Sequence, residues 1–404
     1  MAGSSTRASA SAASHIAAYD LIRALAMVLV IAGHSSYYTM LSPLGGIDYL
    51  RWMAEAGVSD TALHGFTDAL ARGIYTFHMR VFFALSGAVF YLRLRQGAYD
   101  GVGAFLRKKA RRLLVPFVLA TAFYAVPVKL AAGYWTGDAL EVACGIFGHF
   151  FLLGNSHLWF LVAIFGSFAV VGWAVLGHPR VRAWLLAAHP WRVEAVLAAI
   201  VAVLLLADGT AAHLAIDAIH RRGGYWLLIE APVANFTSFV WGTLWMIVGM
   251  RLEQARERLA GRRLPAAVLA AALAVLLVAL WSGCAWEMHW QIPPMRRYVV
   301  LDEAVRLGLA VAGVTACWLA GWLLARTRAA RARVVQAFSR DTMGVYLYSD
   351  PLNYAILAAF AAAFGPAAFG TTEGTAALVA MRFFGTLLIG WGVTIVVRRV
   401  SNFR

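Results

Sequence analysis

The segment YDLIRALAMVLVIAGHS sets Arg23 and His34 eleven residues apart, and at about 100° per residue this separation closes to within about 20° of three full helical turns. On a helix the two side chains share a face, with a rise of about 16 Å between them. An imidazole can take a proton or attack as a nucleophile near neutral pH, and a guanidinium holds phosphate or carboxylate through charge-assisted bonds. Asp20 lies one turn before Arg23 and can pair with it, which accounts for both charges. It does not account for His34. Two further histidines stand in apolar surroundings, His78 in FHMRVFFALSG and His157 in SHLWFL beside Trp159. Lys108, Lys109, Arg111 and Arg112 form a basic run ahead of Pro116 that could hold phosphates or could serve only as a topology signal.

These residues must be positioned by membrane-spanning helices. The chain of 404 residues is 61% apolar and only 14% charged, a composition that excludes an ordinary soluble protein. Stretches long enough to cross about 30 Å of hydrocarbon fall at residues 19 to 41, 74 to 93, 112 to 134, 157 to 177, 193 to 209, 231 to 250, 265 to 285, 302 to 325, 341 to 364 and 374 to 397. The fifth is the shortest. The expected fold is all-α, a polytopic bundle of about ten transmembrane helices. Residues 1–18, rich in Ser and Ala, read as a disordered cytoplasmic tail, 19–397 as one transmembrane domain and 398–404 as a second cytoplasmic tail. The first apolar run carries Asp20 and Arg23 in its opening turns, so it reads as a retained anchor and not a cleaved signal.

Net charge is +15, but the basic residues gather between spans and not on a soluble surface, so the chain is not expected to bind nucleic acid. Alternate connections hold them: Arg93 to Arg112, Arg180 to Arg192, Arg251 to Arg263, Arg326 to Arg340, and Arg398, Arg399 and Arg404 at the end. The remaining connections carry Asp48, Glu55, Asp60, Asp68, Asp138, Glu141 and Glu287. The positive-inside rule then puts both termini in the cytoplasm, with His34, His78 and His157 converging on one level near the outer face. Cys144, Cys284 and Cys317 show neither disulfide nor metal spacing, and no metal is expected.

A charge at mid-bilayer costs about 2.5 to 3.5 kcal/mol, so each one needs a partner or a function. Glu230, Asp350 and Arg382 are such groups. Asp350 and Arg382 fall at similar depth on neighbouring spans and are expected to form a structural ion pair. Ser86 and the glycines of the second and sixth spans read as close helix packing, not as a serine nucleophile.

Several motifs together resemble the bacterial acyltransferase 3 membrane proteins. YDLIRALAMVLVIAGHS resembles that family's first-helix signature, a basic residue followed after ten residues by the histidine regarded as catalytic. FHMRVFFALSG resembles its second helix, RKKARRLLVP its basic motif before a proline, and HLWFL recurs as written. The chain departs from the pattern twice. Arg80 replaces a proline after FHM, and GVYLYSDPLNY has Ser349 where a late histidine is common, with Asp350 beside it.

The resemblance implies a multi-pass protein of the bacterial inner membrane. It would move an acyl group, acetyl first because acetyl donors dominate the family, from cytoplasmic acyl-CoA to a hydroxyl of a cell-envelope or secreted glycan or lipid-linked saccharide. His34 is then the base or transient acyl carrier, with Arg23 and His78 assisting. Arg23, Lys108, Lys109, Arg111 and Arg112 would bind the donor, and His157, Trp159, Glu230 and Asp350 the acceptor. Membrane lipid surrounds the domain, which works alone or with a separate periplasmic partner. Succinyl transfer to periplasmic glucans is the alternative within the family. Outside it stand a secondary transporter, against which no inverted halves or matched broken spans are apparent, and an export protein for envelope polymer.

Overall fold

The computed structural model describes residues 3–42, 45–135, 139–140, 142–143, 146–147, 157–187, 189–223, 226, 229–259, 265–290 and 298–401. Cys144, Asp138, Glu141, Arg262, Arg263 and Arg404 lie outside the described residues.

In chain order the elements are α1 (Gly3–His34), the antiparallel hairpin β1 (Thr39–Ser42) and β2 (Gly45–Asp48), α2 (Tyr49–Glu55), α3 (Ala62–Tyr75), α4 (His78–Arg95) and α5 (Val102–Ala120). A π-helical turn (Thr121–Ala125) joins α5 to α6 (Val126–Ala131). Then follow α7 (Trp159–Leu176), α8 (Pro179–Leu186), α9 (Trp191–Arg222), α10 (Glu230–Leu259), α11 (Ala266–Trp290), α12 (Val299–Ala325), α13 (Arg333–Phe369) and α14 (Thr372–Ser401). Among the described residues, ten spans are long and apolar enough to cross a membrane, and each overlaps one of the ten read from the sequence. Two bounds differ. The fifth span is no short helix but all 32 residues of α9, because Asp208, Gly209 and His213 lower its hydropathy without breaking it. The α1 helix starts at Gly3, so the Ser/Ala stretch expected to be disordered continues the helix, as its alanines favour.

The first span is the hub. α1 packs against α3, α4, α12, α13 and α14, and Ile22, Ala26, Met27, Val30 and Ile31 on it are fully buried or nearly so. Outward faces carry large exposed apolar side chains such as Val203, Val275 and Leu388, which suits lipid contact. α4 and α10 meet through glycines. A Cβ on Gly87 would stand 1.9 Å from the Met246 carbonyl oxygen, and one on Gly249 would stand 1.8 Å from that of Ala84. Only a missing side chain permits that approach, as read from the sequence.

Ion pairs show which helix ends gather together. Arg95 of α4 pairs with Glu257 of α10, and Arg258 of α10 with Glu194 of α9 at 3.2 Å. Tyr19 of α1 bonds Glu253 of α10, and Arg398 of α14 pairs with Asp341 of α13. Ser339 of α13 donates to the Asp20 carbonyl of α1 at 2.7 Å, so the stretch of α1 around Tyr19 and the end of α14 lie at the same, basic end of the bundle. At the opposite end the first loop folds down on α13, where Tyr49 and Phe369 stack with ring centroids 5.6 Å apart.

Candidate active site

At that opposite end lies a cavity of about 360 Å³, lined among others by His34, His78, His157, Trp159 and Asp350. Each side chain is delivered by a helix end or an interruption. His34 is the last residue of α1. The second span breaks at Thr76 and Phe77, between α3 and α4, so His78 opens a new helix. Its Nδ1 lies 2.9 Å from the Ile74 carbonyl across the break. That carbonyl can only accept, so Nδ1 carries the proton and Nε2 the lone pair.

Two prolines shape the remainder. Pro127, at the start of α6, has no N–H to give the preceding turn, and the helix widens there into the π turn at Thr121–Ala125. The next turn carries Lys129, fully buried, toward α13. Pro351 lies inside α13 directly after Asp350 and frees the Leu347 carbonyl four residues earlier. His157 Nε2 occupies that carbonyl at 3.2 Å. The imidazole is thereby held with Nδ1 3.2 Å from Asp350 Oδ2, angled off the line of a hydrogen bond. Tyr124 donates to the neighbouring Tyr348 carbonyl at 3.0 Å.

Asp350 is the centre of the site. Its Oδ1 lies 3.0 Å from His34 Nδ1, and its Oδ2 lies 3.5 Å from Lys129 Nζ. The carboxylate is 2% exposed and the His34 side chain 12%. The Tyr37 hydroxyl at 2.9 Å and the Tyr75 hydroxyl at 3.3 Å also reach Nδ1 and bond each other. With Nδ1 so engaged, Nε2 is the His34 nitrogen with no protein partner among the described residues. An imidazole whose Nδ1–H faces a buried carboxylate presents a basic Nε2.

The expected ion pair between Asp350 and Arg382 is not what holds either residue. Arg382 Nε donates to Asn353 Oδ1 at 2.7 Å, Nη2 to the His34 carbonyl at 2.9 Å and Nη1 to the Tyr37 carbonyl. Equal depth placed the two residues level, but they face different groups. Arg382 clasps the C-terminal turn of α1, where carbonyls lack helical partners.

The structure does not bring all candidates together. Arg23 pairs with Asp20 at 3.1 Å, at the basic end of α1, where Arg112 also faces it. Lys108, Arg111 and Arg112 are exposed on α5, while Lys109 turns inward with its ammonium 3.5 Å from the Phe168 ring centroid. Glu230 pairs with His220 at 3.0 Å and is not among the residues lining the cavity. Trp159 and Trp241 form an edge-to-face pair in the cavity wall, and Arg80 stands over Trp241 with its guanidinium 5.2 Å from the ring centroid. Ser349 turns away, its Oγ donating to the Tyr346 carbonyl at 3.0 Å.

Lys129, Tyr37 and Tyr75 went unread in the sequence. A lone lysine in FYAVPVKLAAGYW carried the needed signal, whereas tyrosines near a membrane face are too common to stand out. A family model described as an acyltransferase domain matches residues 16–395. No curated protein and no solved structure matches the chain.

Proposed function

The chain belongs to the acyltransferase 3 family, and on that premise we propose that this multi-pass membrane acyltransferase moves an acyl group, acetyl first, from acyl-CoA to a hydroxyl of a cell-envelope glycan. The observation that carries the reading is the His34–Asp350 contact at 3.0 Å on the wall of a cavity. His34 Nε2 takes the proton of the acceptor hydroxyl as its oxygen attacks the thioester carbonyl. The tetrahedral intermediate then collapses, the carbon–sulfur bond breaks, and the imidazolium returns the proton to the coenzyme A thiolate. Asp350 keeps Nδ1 protonated and offsets the positive charge that His34 acquires. The same Nε2 can instead carry the acyl group transiently.

On the positive-inside reading the cavity end is periplasmic and the basic end cytoplasmic. Lys108, Arg111 and Arg112 are exposed, with Arg112 near Arg23, and on this reading form the docking face for the donor's phosphates. The pantetheine arm spans the depth from there toward His34, along α1. His157 and Trp159 line the acceptor side.

Arg80 favours a second reading within the same chemistry. A guanidinium over Trp241 in the cavity wall suits an acyl group ending in a carboxylate, as in succinyl transfer. The rival classes lose ground with the family membership. The interruptions in the second, third and ninth spans are not the matched pair that a transporter of inverted halves requires.

The test is His34→Ala. Acylation of the purified glycan, read by NMR, is expected to vanish while expression and membrane insertion stay unchanged. A normally acylated glycan would remove His34 from the chemistry. Mass spectrometry of the same glycan distinguishes an acetyl from a succinyl increment.

A further inference from the structure

Far along the chain from the acyltransferase motifs, α9 carries an unexpected polar cluster. Among the described residues this helix meets only α10 and α12 in substantial contacts, and Ile219 is its one buried residue. Yet its contact with α12 is the place where His213 meets Asp302 and Glu303, with one donor atom of each within 4.8 Å of the others. His213 Nδ1 is 3.6 Å from Glu303 Oε1. The Glu303 carboxylate reaches the α9 backbone at Gly209, where a Cβ would stand 2.5 Å from Oε2. Gly209 is one helical turn before His213, so both face the same groove.

A carboxylate cluster in a lipid-facing groove is costly unless its charge is neutralised. Asp208, next to Gly209, adds a third carboxyl group close enough to Glu303 to feel its charge. Arg306 answers part of this, with Nε 2.8 Å from Asp302 Oδ2. Among the described residues, three buried oxygens still accept no hydrogen bond: both of Asp302, whose side chain is 0% exposed and whose Oδ2 lies beside Arg306 off the line of a hydrogen bond, and Oδ2 of Asp208. Buried polar atoms without partners are rare, and each points to a missing ligand or proton.

We propose that His213, Asp302 and Glu303 bind one divalent transition-metal ion, zinc by its chemistry, which clips α9 to α12. One imidazole with two carboxylates is a borderline-soft donor set that suits zinc better than magnesium or calcium. Zinc holds nitrogen and oxygen at about 2.0 to 2.2 Å, which places tetrahedral donors about 3.3 Å apart. The His213–Glu303 contact at 3.6 Å is already near that spacing, and the ion would draw Asp302 in through its unpartnered Oδ1. The donors come from two helices 89 positions apart in the chain, from His213 to Asp302, so no local metal motif announces the site.

The test is the full chain, purified in detergent, stripped with a chelator and dialysed against Zn²⁺ alone. One equivalent by metal analysis is expected, with a rise in the thermal unfolding midpoint. Asp302→Asn combined with Glu303→Gln should weaken binding by at least about tenfold. His220→Gln, which removes the exposed His220–Glu230 pair, should leave it unchanged. If the double variant does not fold, His213→Gln replaces it, with gel filtration confirming the folded chain. Absence of bound zinc in the unaltered chain, equal binding by the ligand variants, or loss on His220→Gln overturns the proposal.

Discussion

Replacing Asp350 by asparagine keeps the shape of the side chain and removes its charge, so it separates positioning by volume from electrostatics. The carboxylate lies 3.0 Å from His34 Nδ1, which puts the charge centres of Asp350 and a protonated His34 about 4 Å apart. At an effective dielectric constant of about 20 that attraction is about 4 kcal/mol, or about a thousandfold in rate where the imidazolium forms on the way to the transition state. An amide can also turn its NH₂ toward Nδ1, favouring the tautomer with the proton on Nε2, which disables the base and adds to the loss. The same change leaves Lys129, 0% exposed and 3.5 Å from Asp350, facing a neutral group. Breaking one side of a buried pair costs about 3 to 5 kcal/mol, so Asp350→Asn should also lower the unfolding midpoint. Adding Lys129→Met should restore stability without restoring activity. The assay is coenzyme A release from acyl-CoA by membranes holding the variant, with the glycan product read by NMR. Activity within tenfold of the unaltered protein, at an unshifted midpoint, would refute the dyad.

Pro351→Ala returns an N–H that can claim the Leu347 carbonyl, in competition with His157 Nε2. Acyl transfer should fall by about tenfold or more while thermal stability holds or rises, as read by coenzyme A release beside a melting curve. Gly87→Ala forces a methyl group to within 1.9 Å of the Met246 carbonyl oxygen. It should cost about 3 kcal/mol or more and deplete folded protein on gel filtration in detergent. Arg112→Ala or Arg23→Ala should weaken acyl-CoA binding by about tenfold, one lost charge-assisted contact, and unchanged binding by calorimetry would remove that residue from the donor face.

The ten spans were legible because hydrophobic length is a coarse property that survives local breaks. The second span shows the limit. Read from residue 74, it is preceded by α3, whose polar Asp68 and Arg72 pair with each other and conceal a helix that runs up to the break at Thr76. The level shared by His34, His78 and His157 was legible from depth alone, since rise per residue is fixed in a helix. Direction around the axis was not. Asp350 and Arg382 stood level and invited a pairing, yet Pro351 and the clasp on α1 turn them to different partners. Lys129 was within reach of the rule that every intramembrane charge needs a reason. The interruptions that aim these groups involve backbone carbonyls, which hydropathy does not register.

The clasp formed by Arg382 also bears on how the protein is made. His34 emerges from the ribosome on the first span, whereas the guanidinium that holds its carbonyl, and that of Tyr37, belongs to the last. The His34 end of α1 is therefore an unfinished object until α14 has been inserted beside α13. A chain released before residue 382 could hold nine spans in the membrane and still lack a shaped site, so activity would mark synthesis through α14 where insertion alone would not.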